Sequence, residues 1–134
     1  MMDVNLFQKI IDREIPAEMV YEDDQCLAFR DINPQAPTHV LIIPKKVFRT
    51  HEDIGESDKA LLGHLHIVAK QLAAQFELND GYRLVVNCKE KAGQTVPHLH
   101  MHIGNPIVYE PHGIFTVFRS FHHDVGRDVG DIVA

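Results

Sequence analysis

Residues 98–103 read His-Leu-His-Met-His-Ile, and no other feature of the chain narrows the fold as much. Histidine and apolar residue alternate strictly, which is the two-residue period of a half-buried β-strand. An extended segment puts all three imidazoles on one face with neighbours about 6.8 Å apart, whereas a helix would fan them over about 200°. The spacing therefore predicts a sheet that carries a row of titratable rings. His98 and His102 would stand about 13 to 14 Å apart, too far to share one ion at Zn–N distances of about 2.0–2.1 Å. Three chemistries stay open to such a row. Two adjacent rings and a ligand from elsewhere can hold zinc, the rings can be polar core residues, or a neutral imidazole, with an ordinary pKa of about 6.5, can attack phosphorus or carbon at pH 7.

The rest of the chain supplies partners for that strand. Asp3 or Asn5 can cap a short helix whose apolar stripe is Leu6, Phe7, Ile10 and Ile11, bounded by Pro16. Residues 18–22 and 26–31, split by Asp23-Asp24-Gln25, read as a β-hairpin, with Asp31 a candidate turn residue. After Pro34 and Pro37, residues 39–43 form a near-continuous apolar strand, central in a sheet, which His39 opens with a ring that needs a hydrogen-bond partner. From 57 to 78, Leu61, Leu62, Leu65, Val68, Ala69, Leu72, Ala73 and Phe76 keep helical spacing up to an Asn79-Asp80-Gly81 stop; His64 and His66 on this helix read as structural or surface residues. Residues 82–87 make a further strand that ends on Asn87. Cys88 to Gly93 turns back into the histidine row, where the backbone N–H groups of Gly93 and Gln94 suggest an anion cradle and Thr95 adds a hydroxyl.

Two stretches carry a family resemblance. The histidine row with Gln94-Thr95-Val96 before it, and the separate run from Asp31 through Pro34, Pro37 and His39 to Lys45 (DINPQAPTHVLIIPK), resemble the signature of the histidine-triad (HIT) superfamily and its HINT branch of purine nucleoside phosphoramidases. The similarity runs from about Leu6 to Ile103. It implies an α+β HIT fold: an antiparallel sheet of about five strands with one long and one short helix, in a HIT domain spanning residues 1–110. It implies that Leu6, Phe7, Ile10, Phe29 and Ile32 pack on the base and that the Asp31 carboxylate accepts the ribose hydroxyls. Asn87, Gly93, Gln94, Thr95, His100 and His102 would meet the ribose and phosphate, with His39 extending the hydrogen bonds of the triad. The implied reaction releases AMP or GMP from nucleoside 5′-phosphoramidates. His100 attacks, its other nitrogen held by backbone near His98; His98 orients, and His102 and Thr95 bond the oxygens or leaving atom. No cofactor is required, and a homodimer is expected through the long helix and the strand after it. A dinucleoside polyphosphate hydrolase and a nucleotide-binding adaptor without catalysis are the rival readings.

The resemblance stops after Ile103. Instead of the Gly-Gly-Arg stretch usual in the branch, this chain reads Gly104-Asn105-Pro106 and runs on to Ala134 without a tryptophan. Residues 111–134 are expected to be a partly ordered extension, with a strand over 114–118, a frayed end over 125–134, and His112, His122 and His123 on the surface. With 134 residues, one domain is expected. A formal charge of −6 argues against general nucleic-acid binding, which needs a basic face. Cys26 and Cys88 lack metal or disulfide spacing, so reduced thiols and a cytoplasmic protein are expected. No apolar run approaches the roughly 18 residues of a membrane span.

Overall fold

The computed structural model describes residues 4–105. In chain order these form α1 (Leu6–Ile11), β1 (Met19–Glu22), β2 (Cys26–Arg30), β3 (Thr38–Pro44), α2 (Lys59–Gln75), β4 (Arg83–Val85) and β5 (Met101–Asn105), with short 3₁₀ turns between several of them. The strands make one antiparallel sheet in the order β1-β2-β3-β5-β4. This is the expected α+β arrangement of five strands with one long and one short helix.

Alternation along the central strands sorts the core into two layers. Cys26, Ala28, Val40, Ile42, Met101 and Ile103 face α2, where Leu65, Val68, Ala69, Leu72 and Ala73 cover them. Leu27, Phe29, Leu41 and Ile43 face the other way and meet Phe7 and Ile10 of α1. Because β2 and β3 are buried on both faces, their sequences are continuously apolar. Each fully buried leucine or isoleucine contributes about 1.5–3 kcal/mol. The six residues of α1 are too few to hold a helix alone. Packing of Phe7 and Ile10 holds it, along with an Asn5 cap whose Oδ1 accepts from the Gln8 N–H at 2.9 Å; Asp3 lies outside the described residues.

Three boundaries differ from the sequence reading. The histidine row is not wholly strand: β5 begins at Met101, and residues 96–100 are bends and irregular backbone. Its partner β3 ends at Pro44, which has no N–H to continue the ladder, so the backbone N–H of Leu99 turns instead to the carbonyl of Phe48 at 2.8 Å. The long helix starts after a 3₁₀ turn at Glu56–Asp58 and stops before Asn79. Leu78 N–H bonds Ala73 O and Glu77 N–H bonds Ala74 O, a Schellman closure with Glu77 at φ 58° in the position glycine usually takes. β4 covers only three of the six residues expected and, among the described residues, pairs with β5 alone. The extension expected over 111–134, with its strand over 114–118, its frayed end over 125–134 and His112, His122 and His123, lies outside the described residues.

Candidate active site

Register explains how the polar side chains meet. Arg30 pairs with Val40, and one step further the Asp31 N–H bonds His39 O at 3.0 Å, which sets Asp31 beside His39. On the neighbouring strand Leu41 pairs with His102, which makes His39 and His102 diagonal neighbours on the α1 face. His39 Nε2 lies 3.0 Å from His102 Nδ1 and 3.4 Å from Asp31 Oδ2.

These contacts assign the protons. Gln35 N–H donates to His39 Nδ1 at 3.1 Å, so the neutral ring carries its proton on Nε2 and offers it to His102 Nδ1. His102 then keeps its own proton on Nε2. At His100, Nδ1 lies 2.7 Å from the carbonyl oxygen of His98, which can only accept; the proton is on Nδ1 and the lone pair on Nε2. No hydrogen-bond partner for Nε2 is found among the described residues. Burial pushes the His100 pKa down to about 4, more than the bond to the His98 carbonyl raises it, so the ring is neutral at pH 7. His98 is fully buried and also lowered by burial; its Nε2–H donates to Pro44 O at 2.8 Å and its Nδ1 accepts from Asn5 Nδ2 at 3.0 Å.

The rings of His100 and His102 are 5.1 Å apart, and Phe7 stands edge-on to His100 at 4.9 Å. Both histidines open onto a cavity of about 830 Å³, within the range of small-molecule sites. Its apolar wall includes Leu6, Phe7, Ile10, Phe29, Leu41 and Val96, and its polar wall Asp31, His39 and Thr95. Ile32 lines it too, although 92% exposed.

Four expected site residues sit elsewhere. Gln94 is buried, its amide donating to Arg49 O and Val96 O and accepting from Lys89 N–H. Its own N–H bonds Lys89 O and that of Gly93 bonds Glu90 O. The anion cradle expected of these two is therefore corrected: both donors close the turn after β4 and are spent. His98 lies behind the cavity wall. Asn87 is also outside it, two residues beyond the Val85–His102 pair, and its buried Nδ2 has no partner among the described residues. For a cation, two sets of donors gather within 4.8 Å among the described residues, Asp31, His39 and His102 here and Asp23, Cys26 and His64 elsewhere, and only the first draws a member, one, from the row. The row also hid the contribution of Asn5, which reads as a helix cap in sequence and also bonds His98. The signal was the second valence of an asparagine cap: once Oδ1 serves the helix, Nδ2 is left to donate.

Residues 12–104 match the HIT domain family. An uncharacterized HIT-like protein of Synechocystis is 53% identical over 113 residues, which are 83% of this chain and 99% of that protein. Among solved structures, a HIT family hydrolase from Legionella pneumophila is 49% identical with a TM-score of 0.75, over 81% of this chain and 99% of its own. A histidine triad nucleotide-binding protein from Candida albicans is 26% identical with a TM-score of 0.69, over 96% and 99%.

Proposed function

This chain belongs to the HIT domain family, and from that premise we propose that it hydrolyses purine nucleoside 5′-phosphoramidates through a covalent nucleotidyl-histidine. One observation carries the reading. The buried, neutral His100 has its proton committed to the His98 carbonyl and its lone pair on the nitrogen that faces the cavity. That is the state a nitrogen nucleophile needs, and no separate base is required to create it.

In the proposed first step, His100 Nε2 bonds to the α-phosphorus and the P–N bond breaks. The departing nitrogen gains a proton from the donor side of the site, where His102 Nε2–H and the Thr95 hydroxyl lie. Water then attacks phosphorus and gives its proton back to the group that protonated the amine, the P–N bond to His100 breaks with its electron pair returning to Nε2, and the products are the amine and a nucleoside monophosphate. Phe7, Ile10, Phe29, Leu6 and Ile32 pack on the purine, and Asp31 accepts the ribose hydroxyls. A HIT family hydrolase and a nucleotide-binding triad protein among the similar structures agree in kind. Ile67, Tyr82, Leu84 and Val86 are large exposed apolar side chains on α2 and around β4, which supports a homodimer through that face.

Denaturing the protein at alkaline pH, where the P–N bond to imidazole survives, during turnover of adenosine 5′-phosphoramidate radiolabelled at phosphorus is expected to trap label on His100. Hydrolysis of that substrate is expected to outpace hydrolysis of diadenosine tetraphosphate. AMP binding without any trapped label would point to an adaptor, and faster cleavage of the dinucleotide to the other hydrolase class.

A further inference from the structure

We propose that Asn5 is a positioning residue for this site, tying the N-terminus of α1 to the ring of His98 so that the cavity wall and the carbonyl that holds His100 keep one register. The inference rests on the reading of His100 as the nucleophile.

Four hydrogen bonds join five residues, and they branch at His98. The Gln8 N–H donates to Asn5 Oδ1 at 2.9 Å, and Asn5 Nδ2 donates to His98 Nδ1 at 3.0 Å. His98 Nε2–H donates to Pro44 O at 2.8 Å, and His98 O accepts from His100 Nδ1–H at 2.7 Å. Each link dictates the next. A carbonyl oxygen has only lone pairs, so Pro44 forces the His98 proton onto Nε2 and leaves Nδ1 to accept; the helix N–H forces Oδ1 inward and leaves the amide to donate. The asparagine side chain supplies both functions, an acceptor for the helix and a donor for the ring. Serine and aspartate would serve the helix equally well. Neither pairs with His98 as it stands while capping, since aspartate has no proton to give and a hydroxyl is too short to span both partners.

The consequence for the reaction lies in what each end carries. α1 carries Phe7, which packs edge-on against His100 at 4.9 Å and also flanks His98. His98 sits in irregular backbone before β5 begins, so sheet hydrogen bonds do not fix it. Its backbone is held by His98 N–H to Val96 O at 2.7 Å and Leu99 N–H to Phe48 O at 2.8 Å, its ring by bonds at both nitrogens, and the carbonyl that holds the His100 proton belongs to the same residue. Releasing Nδ1 leaves the ring held at one nitrogen only and removes its tie to α1, and small misplacement of a reacting group is costly.

The test compares Asn5→Ser, which keeps the cap, with Asn5→Asp, which keeps the cap and turns a carboxylate toward the ring. Nitrogen-15 NMR of the free protein reads the His98 tautomer with no substrate present. The wild type is expected to carry the proton on Nε2. Asn5→Asp is expected to put a proton on Nδ1 as well and to lift the acid limb of the kcat/KM profile toward neutrality, and Asn5→Ser to lower kcat on the order of tenfold with KM little changed and melting temperature near wild type. A wild-type kcat in Asn5→Ser, or an unaltered His98 tautomer in Asn5→Asp, would overturn the proposal. Should the protein cleave no phosphoramidate, the tautomer still reports the Asn5–His98 link, so a failure of the proposed substrate is told apart from a failure of the link.

Discussion

Histidine networks lie on both faces of the sheet, and they end differently. On the α2 face, Asp23 at the β1–β2 turn collects every donor within reach. Its Oδ1 accepts the N–H groups of Gln25 and Cys26 at 2.8 Å each, and its Oδ2 faces the Tyr21 hydroxyl at 2.7 Å and His64 Nε2 at 2.6 Å. Burial works against the ionised carboxyl, but the bonds from Tyr21, His64 and the backbone outweigh it and hold its pKa well below the usual range. Beside it the buried Cys26 thiol is pushed up to about 12, first by burial. On the α1 face the donors and acceptors pair in sequence along Gln35, His39 and His102, and along Asn5, His98 and His100, but the second line stops with one lone pair facing a cavity. Buried histidines with short hydrogen bonds therefore do not mark a site by themselves. What separates reactive from structural here is whether the last nitrogen in the line is spent.

The contrast breaks most readily at His100. Replacing it with alanine is expected to cut kcat by about 10⁴-fold while nucleoside monophosphate affinity stays within about tenfold, or 1.4 kcal/mol; surviving turnover would return the α1 face to a structural role. The pH profile sharpens it next. With its pKa near 4, His100 keeps its lone pair at pH 5.5, so kcat/KM there should lie within about twofold of its value at pH 7, where an ordinary histidine would lose about tenfold. Stability runs with the same sign. Between about pH 6.5 and 4 the unfolded chain takes up the proton that folded His100 refuses, so stability falls as pH falls through that window, a trend readable from urea midpoints.

The α2 face should answer in stability alone. Asp23→Asn is expected to cost about 2 kcal/mol in urea unfolding and to leave kcat within about twofold. Because its folded pKa is depressed, Asp23 contributes stability that is present above about pH 3.9 and lost as pH falls below that value; the variant should lack this component of acid unfolding. His64→Ala should give the smallest change, under about 1 kcal/mol, since the ring is partly exposed. A kcat that follows either substitution would mean that the two faces are coupled.

Much of this arrangement was legible in the order of residues. The apolar run of β3 announces a strand buried on both faces, the Asp23-Asp24-Gln25 break announces the hairpin of β1 and β2, and the helical spacing from Leu61 to Phe76 announces α2 within a few residues of its ends. Two misreadings have one physical source. Gly93 and Gln94 were expected to cradle an anion through backbone N–H groups in a tight loop, yet those N–H groups bond Glu90 O and Lys89 O and the Gln94 amide reaches Lys89, Arg49 and Val96; spacing does not encode such partners. His98 and His100 were expected in a strand because they alternate with apolar residues. Alternation records which side a residue faces, not whether a neighbouring strand is there to bond it, and Pro44 ends that neighbour early.

From the sequence alone came a central apolar strand, a long amphipathic helix and a row of imidazoles on one face, because periodicity and residue type are local properties; the attacking role of His100 came from the family resemblance. Folding in three dimensions decided which of the three rings keeps a nitrogen unspent and which tautomer each adopts. Those outcomes depend on acceptors brought from Pro44 and His98 and on donors from Asn5 and Gln35, and a proton goes to whichever nitrogen faces an acceptor in the finished fold.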